Sequence, residues 1–331
     1  MPYGLFTYNY SNNIGDEVQS IAAEGFLPRT DILIERDRLH WYANGPKVFV
    51  IFNGWFTRGP CWPPPRSLQP LFVSFYAQRP VDLIKAEYAD YFRRFEPIGC
   101  RSVATADAFH KIGVDAYFSG CLTLTIPKTG RTRTDQIYAL DVEPEIYAAL
   151  VPAHIKKKAL TLSNSFPRQE SSWAAKSAWH TSYSVIRVLN KIDANRAFFS
   201  ASRKKFERYR HNIRMQLARE RLQKLSEAKL VITSRLHCAL PCLAMGTPVV
   251  LLRQGLETDP RFSGLYEFVR HNKSSSKSIP INWDNPEPNP DDYVACAEAL
   301  KRRCRDAVDQ FAKAEVNVTP ASTADLARAA V

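Results

Sequence analysis

The sequence predicts an α/β fold with two domains, each built on a parallel β-sheet that has helices on both faces. Short β-rich runs alternate with helical patterns along the first half of the chain, and a second series of the same kind follows. Such alternation favours parallel sheets, because a crossover helix returns the chain to the same edge before the next strand. The 331 residues suffice for two domains of typical size. We therefore expect two separate cores.

The predicted N-terminal domain covers residues 1–155. Its strands and helices are read, in order, from GLFTYN (4–9), GDEVQSIAAEGF (15–26), KVFVIFNGWF (47–56), LFVSFY (71–76), PIGCRS (97–102), ADAFHKIG (106–113) and VDAYFSG (114–120). The segment RGPCWPPPRSLQP (58–70) interrupts this pattern, since each proline fixes φ and removes a hydrogen-bond donor. We expect it to form a surface loop over the cleft between the domains.

The predicted C-terminal domain covers residues 156–331. It begins with a strand in ALTLSNS and a long helical region at about 173–229. A loop rich in serine, asparagine and proline at 271–292 leads to a C-terminal helix. Asp291 or Asp292 is the expected N-cap of that helix, because a carboxylate can accept from the first free backbone N–H groups.

The stretch KLVITSRLHCALPCLAMGTPVVLL (229–252) predicts a strand, a helix and a second strand. KLVI and VVLL are short apolar runs that suit buried parallel strands. Residues 236–245 must then form the crossover helix, with Gly246 as its stop signal. Proline is tolerated in the first helical turn and disrupts the interior. Pro241 therefore places the start of the helix near position 237.

Arg235 and His237 consequently lie at a helix N-terminus on the carboxyl edge of the predicted sheet. Open α/β sheets bind ligands at that edge, where free N–H groups and the helix dipole favour an anion. Arg235 adds a guanidinium that matches phosphate or carboxylate, and Ser234 either caps the helix or donates to the ligand. Alternatively, the two residues have no role in binding: Arg235 pairs with a surface acid, and His237 forms a hydrogen bond within the turn between strand and helix.

Three other strand ends carry candidate binding residues. In NNIGDEVQ (12–19) Gly15 allows a tight turn, while Asp16 either caps the following helix or, together with Asn13, orients the hydroxyl groups of a substrate. Arg101, after the strand in PIGCRS, either contacts a ligand or forms a surface ion pair. Asn53 in IFNGWF is expected to line the cleft.

Composition narrows the classes of partner. Lysine and arginine outnumber aspartate and glutamate by 45 to 33, which gives a formal charge of +12. This charge favours a partner with phosphate or carboxylate groups, or an anionic membrane surface. No nucleic-acid-binding module or basic–aromatic repeat is recognisable, so we expect no nucleic-acid partner. The chain has neither the pattern of a signal peptide nor a long uncharged apolar run, and we expect a cytoplasmic protein.

No His, Asp and Glu cluster has the spacing of metal ligands, and the seven cysteines include no Cys-x-x-Cys pair. We therefore expect reduced thiols and no metal. The basic stretch at 202–224 has Phe206, Tyr209, Ile213 and Leu217 at helical spacing. It predicts either a solvated helix with that apolar stripe buried, or a surface attracted to anionic lipid headgroups.

Several stretches together resemble the polysaccharide pyruvyl transferase family. They are NNIGDEVQSIA (12–22), PIGCRS (97–102), GVDAYFSGCLTLTIP (113–127) and EAKLVITSRLHCALPCLAMGTPVV (227–250). The most specific feature is the Arg-Leu-His triplet of the family, which falls on Arg235, Leu236 and His237. The resemblance implies two Rossmann-like domains that face a cleft, as in glycosyltransferases of B type.

The resemblance also implies an activity: the transfer of pyruvate from phosphoenolpyruvate to a sugar, as a ketal, with no further cofactor. Arg235 would then bind the donor anion, with Arg168 as a second arginine, and His237 would be the general acid and base. The N-terminal domain would bind a saccharide or lipid-linked saccharide, at the inner face of the cell membrane. The alternative is a glycosyltransferase that uses a nucleotide sugar, with Glu257 or Asp259 on the donor ribose.

Overall fold

The computed structural model describes residues 2–57, 62–165, 177, 184, 200–272 and 281–318. These residues form two parallel β-sheets flanked by helices, which confirms the predicted fold class. None of the helices in the described segments combines the length and the apolar character that crossing a bilayer requires.

The first sheet has six strands in the order β2-β1-β3-β4-β5-β6, and every neighbouring pair is parallel. Its strands are β1 (Tyr3–Thr7), β2 (Ile32–Glu35), β3 (Val48–Phe56), β4 (Leu68–Ala77), β5 (Ile98–Cys100) and β6 (Ala116–Phe118). Strands β3 and β4 are buried along almost their whole length. This burial explains why they read as continuous apolar runs rather than as alternating patterns.

The second sheet has five parallel strands in the order β11-β10-β9-β7-β8. They are β7 (Ile137–Leu140), β8 (Ala159–Leu162), β9 (Leu230–Thr233), β10 (Val249–Leu251) and β11 (Arg270–His271). The chain thus passes from the first sheet to the second between Phe118 and Ile137. The predicted boundary between residues 155 and 156 instead falls inside the second sheet, because β7 pairs with β8 and β9.

Nine α-helices of the described residues accompany the sheets. They are α1 (Ile14–Glu24), α2 (Pro80–Leu83), α3 (Ala89–Arg93), α4 (Val103–His110), α5 (Pro144–Leu150), α6 (Ala153–Lys158), α7 (Ser200–Ser226), α8 (Leu236–Ala244) and α9 (Val294–Val318). Asp291 and Asp292 lie in a 3-10 turn that precedes α9, so the C-terminal helix begins slightly later than predicted.

The core is continuous between the two sheets, which differs from the expected pair of separate cores. One cluster of buried side chains includes Leu5 of β1, Val18 of α1, Ala218 of α7, Leu240 of α8 and Val231 of β9. Helices from both halves therefore form a shared layer between the sheets. Two smaller clusters cover the outer faces, one on the first sheet and one on the second.

The helix α7 buries the predicted stripe only in part: Ile213 and Leu217 are half-buried, and Leu217 packs against the central core. Phe206 and Tyr209 are exposed, at 36% and 50% of their surface, whereas Arg210 and Arg214 are at most 2% exposed. Arg214 forms a bidentate pair with Glu17 of α1, with 2.6 Å between Nη2 and Oε2. Burial of the arginines is tolerated because Glu17 supplies a carboxylate to Arg214, and backbone carbonyl groups of the loop before α1 accept from both arginines.

Candidate functional site

A pocket of about 560 Å³, which includes space open to solvent, lies between the carboxyl ends of the two sheets. The side of the first sheet contributes Asn13, Asp16, Trp55 and Arg101, and the side of the second sheet contributes Asn164, Ser234, Arg235, Leu236, His237, Arg253, Arg261 and Phe262. The lining thus carries four arginines and one aspartate. The electrostatics of the pocket favour an anionic ligand.

The N-terminus of α8 forms one wall of this pocket. The helix begins at Leu236, close to the predicted position, and its N-cap Arg235 makes no side-chain capping hydrogen bond. His237 has a non-helical ψ of 18°. Pro241 accounts for this value, because a proline cannot donate to the carbonyl four residues earlier and its ring crowds that carbonyl. The first turn of α8 therefore departs from helical geometry at His237.

The other end of α8 follows the predicted stop signals. Gly246 has a φ of +72°, which a residue with a side chain rarely adopts. The N–H of Thr247 donates to the carbonyl of Cys242 at 2.7 Å, and the N–H of Gly246 donates to Leu243 at 3.0 Å. These two bonds form a Schellman motif that ends the helix.

The N-terminus of α1 meets that of α8. Asn13, and not the predicted Asp16, is the N-cap of α1, and its Oδ1 accepts from the N–H of Gly15 at 3.1 Å. A Cβ at Gly15 would lie 3.1 Å from the Cβ of His237. Gly15 therefore favours the close approach of the two helices, because any Cβ at this position would crowd His237. Because Asn13 is the cap, Asp16 is left to line the pocket, where Ser11 Oγ donates to it at 2.5 Å.

Arg101 is the central cation of the pocket. It follows β5 directly and is 2% exposed. Its Nη1 lies 3.2 Å from Nε2 of His237 and 3.3 Å from Oε1 of Gln19, and its guanidinium stacks 4.5 Å from the ring centre of Tyr76. No acidic side chain of the described residues forms an ion pair with Arg101, and its Nε has no hydrogen-bond partner there. Among the described residues no carboxylate therefore contacts this guanidinium, and its burial argues against the predicted alternative of a surface ion pair.

Burial, and then the neighbouring Arg101, hold the pKa of His237 well below its ordinary value. The imidazole is therefore neutral at physiological pH. Because Arg101 can only donate, Nε2 of His237 is the acceptor in their contact, and the ring proton sits on Nδ1. Burial likewise lowers the pKa of Arg101, which reflects the cost of a desolvated charge.

Arg235, in contrast, is about half exposed and already paired. Its Nε lies 3.0 Å from Oδ2 of Asp141. The same Asp141 accepts from the N–H of Asn164 at 2.9 Å, and its carbonyl accepts from the hydroxyl of Ser234. Ser234 therefore anchors the strand end and does not cap α8. Leu236 is 8% exposed and packs into the central core below the pocket.

The sequence analysis did not predict five residues of the pocket, which are Trp55, Asn164, Arg253, Arg261 and Phe262. Arg253 follows β10, at the same kind of strand end as the predicted candidates, and Arg261 lies in the next turn. Asp259 binds both: it is 3.1 Å from Nη2 of Arg253 and 2.8 Å from Nε of Arg261. Both guanidinium groups also stack near Phe262, at 5.1 and 5.8 Å. The sequence could have predicted Arg253 as a pocket residue, because it follows a predicted strand in the same way as Arg101.

The structure places the remaining predicted residues elsewhere. Asn53 is 1% exposed, and its Nδ2 donates to the carbonyl of Gln19 at 2.9 Å. It therefore fixes α1 against β3 instead of lining the pocket. Arg168 lies outside the described residues. No group of three or more potential metal ligands occurs among the residues that the structure describes.

Comparison with known proteins assigns the family. The model of the polysaccharide pyruvyl transferase family matches residues 13–255, which is more than half of the chain. The chain therefore belongs to this family of transferases, and the match includes α1, Arg101 and the N-terminus of α8. Membership implies the transfer of a pyruvyl group to a polysaccharide.

A search of curated proteins found no match. Among solved structures, the chain is similar to an uncharacterized protein from Klebsiella pneumoniae subsp. pneumoniae NTUH-K2044, at 11% identity and a TM-score of 0.37. The alignment covers 85% of this chain and 93% of that one.

Proposed function

We propose that this protein transfers the pyruvyl group of phosphoenolpyruvate to a saccharide of a cell-surface polysaccharide or of its lipid-linked precursor, with formation of a ketal. The observation that carries the proposal is Arg101, a buried guanidinium with no acidic partner among the described residues, which lies 3.2 Å from His237. An uncompensated buried cation is costly unless a ligand supplies the missing anion. Phosphoenolpyruvate supplies two anionic groups.

The donor is held by charge and by helix geometry. Arg101 binds one anionic group of phosphoenolpyruvate, and the backbone N–H groups at the start of α8 bind beside it. Arg235 and Arg253 lie in the same lining and attract the second group. In this proposal Arg101 takes the central role that the sequence suggested for Arg235, because the charge of Arg235 is already shared with Asp141.

The neutral state of His237 suits the first chemical step. As the anion draws the N–H groups of Arg101 to itself, the lone pair of Nε2 becomes available to accept the proton of an acceptor hydroxyl. The oxygen adds to C2 of phosphoenolpyruvate, and the imidazolium returns the proton to C3, which becomes a methyl group. The bound anion favours the imidazolium and so assists this transfer.

The second step closes the ketal. The C2–O bond to phosphate breaks, and the phosphate leaves with the bonding electrons while positive charge develops on C2. A second hydroxyl of the same sugar attacks C2, and its proton leaves with the phosphate. One donor and two hydroxyl groups thus give one ketal and one phosphate. Asp16 is the one carboxylate of the lining, and in this proposal it orients the acceptor hydroxyl groups.

The nucleotide-sugar alternative needs a carboxylate on the donor ribose. Asp259 was one candidate, but Arg253 and Arg261 already engage both of its oxygens. Burial raises the pKa of Asp259, but the hydrogen bonds and charge of Arg261, and then the charge of Arg253, hold it below its ordinary value. The carboxylate is thus committed to organising the arginines, which favours a small anion over a nucleotide as the donor.

We further propose that α7 brings the protein to an anionic membrane surface, where a lipid-linked acceptor would lie. Phe206 and Tyr209 are exposed on this helix, and Lys204, Lys205 and Arg208 are exposed beside them. Cations flanking exposed aromatic rings favour the headgroup region. Binding to vesicles that contain anionic lipid should weaken as salt rises and in Lys204→Glu/Lys205→Glu. Salt-independent binding, or none, would contradict this part of the proposal.

The donor and the product test the main proposal together. Purified protein is incubated with phosphoenolpyruvate and a panel of saccharides that carry two neighbouring free hydroxyl groups. Phosphate release is followed, and mass spectrometry identifies a pyruvyl ketal on the acceptor. A parallel panel of nucleotide sugars serves as the control. Turnover of a nucleotide sugar, with phosphoenolpyruvate inert and unbound, would replace the proposal with the glycosyltransferase alternative.

A further inference from the structure

The side chain of Gln19 lies between Asp16 and Arg101, the carboxylate and the central cation of the pocket. Gln19 belongs to α1 and is 1% exposed. Its Nε2 donates to Oδ1 of Asp16 at 3.4 Å, and its Oε1 accepts from Nη1 of Arg101 at 3.3 Å. These two contacts define the orientation of the amide, because only its nitrogen can donate to the carboxylate and only its oxygen can accept from the guanidinium.

Strand β3 holds this amide in place. Asn53 donates to the backbone carbonyl of Gln19, which fixes the helix turn that carries the amide. Gly54 has a φ of +107°, and a Cβ there would lie 2.8 Å from Oε1 of Gln19. The register of β3 against β4 also shifts between Phe52 and Gly54. The strand therefore leaves room for the amide at Gly54, where both the positive φ and the missing Cβ require glycine.

The amide has an electrostatic consequence. Asp16 and Arg101 line the same pocket, yet they form no ion pair among the residues that the structure describes. A glutamate at position 19 would repel Asp16, and a lysine would repel Arg101. A neutral amide satisfies both groups and leaves each of them its net charge.

We propose that Gln19 is a positioning residue, which keeps the carboxylate of Asp16 and the guanidinium of Arg101 from neutralising each other. The guanidinium then remains available to the anion and the carboxylate to the acceptor. The roles of anion and acceptor rest on the proposed function. The separation of charges is a property of the free protein and does not depend on the identity of the donor.

A double-mutant cycle tests the inference. Gln19→Met keeps the volume of the side chain and removes both hydrogen bonds, so that Asp16 can approach Arg101. We expect the affinity for inorganic phosphate, measured by calorimetry, to fall about tenfold, the effect of roughly 1.4 kcal/mol. When Asp16→Asn is also present, Gln19→Met should change the affinity less than about twofold, because no carboxylate remains to pair with Arg101. An equal loss in both backgrounds would overturn the inference and leave Gln19 as packing only.

A second measurement needs no ligand. The pKa of His237, followed by NMR, reports the charge on Arg101, because the two side chains are in contact. Gln19→Met should raise this pKa, and Asp16→Asn should abolish the rise. Gln310→Met, on the exposed face of α9, is the matched control and should change neither measurement.

The two proposals fail in different ways. If wild-type protein binds neither phosphate nor phosphoenolpyruvate, the proposed donor is wrong, while the titration of His237 still decides on Gln19. If the pKa of His237 is the same in all four members of the cycle, the separation of charges is refuted, whatever the donor.

Discussion

Arg101→Met is the most informative single change in this protein. The substitution removes the charge of the buried guanidinium and retains an unbranched apolar side chain that can pack against Tyr76. We expect phosphoenolpyruvate to bind much more weakly, because the anion loses a buried guanidinium that pairs with no carboxylate of the described residues. The fold should persist, since no ion pair of the described residues depends on Arg101.

The magnitude follows from the lost hydrogen bonds. Two bonds between the guanidinium and the anion, at about 1.5 kcal/mol each, correspond to a rise in Kd of roughly 150-fold. At a ligand concentration of about 100 times the wild-type Kd, binding stabilises the wild type by about 2.7 kcal/mol, whereas the variant gains only about 0.3 kcal/mol. With an unfolding entropy of about 2.1 cal/mol/K for each of the 331 residues, these values give shifts in Tm of about 4 °C and below about 1 °C.

Thermal unfolding with and without phosphoenolpyruvate measures both shifts. Arg235→Met is the matched control: this arginine is half exposed and shared with Asp141, so its loss should reduce affinity by only about tenfold. Circular dichroism checks that each variant is folded. A full ligand-induced shift in the Arg101 variant, or a larger loss in the Arg235 variant, would refute the assignment of Arg101 as the central cation.

Three further changes test other parts of the structure. His237→Gln retains an acceptor for Arg101 but cannot transfer a proton, so kcat should fall at least about 100-fold with little change in phosphate affinity. In the wild type, the lowered pKa of His237 keeps the imidazole in its base form in mildly acidic solution. The wild-type kcat/KM should therefore decline only at a pH well below 6.5. Arg214→Met leaves the carboxylate of Glu17 buried without its partner and should lower the free energy of unfolding by about 3–5 kcal/mol, against less than about 1 kcal/mol for the exposed Arg219→Met. Burial raises the pKa of Glu35 to about 8, so the folded protein binds more protons than the unfolded chain between pH 4.5 and 8. The free energy of unfolding should therefore decrease as pH rises through this interval. Urea titrations of Glu35→Gln should show no such decrease.

Local rules were sufficient to predict the N-terminus of α8. Pro241 and Gly246 fix where the helix starts and stops, and both act through the backbone of the same segment. Such local rules could not predict which arginine of the pocket pairs with an acid and which does not. Arg235 has its acid 94 positions away in Asp141, and Arg101 contacts a histidine 136 positions away. Which guanidinium is compensated is decided by tertiary contacts that sequence spacing does not encode.

The same limitation explains the error on α7. Apolar spacing predicted a buried stripe of Phe206, Tyr209, Ile213 and Leu217, and the prediction is wrong for Phe206 and Tyr209. Burial of arginine is normally unfavourable. Arg214 is buried nonetheless, because Glu17 of α1 lies opposite it. The assignment of β7 to a sheet depends on tertiary contacts as well: β7 follows the first series without a break in pattern, and only its pairing with β8 and β9 places it in the second sheet.

The continuous core gives these observations a common physical meaning. Arg101 follows β5 of the first sheet, and His237 lies in α8, one of the helices in the layer between the sheets. Their contact therefore connects the two sides of the pocket. Side chains in a close-packed layer do not reorient freely. Gly15 brings α1 against His237, and Gln19 on the same helix holds the amide between Asp16 and Arg101. The charges of the pocket are therefore fixed before any ligand enters, which is the condition under which electrostatic stabilisation of a transition state is most effective.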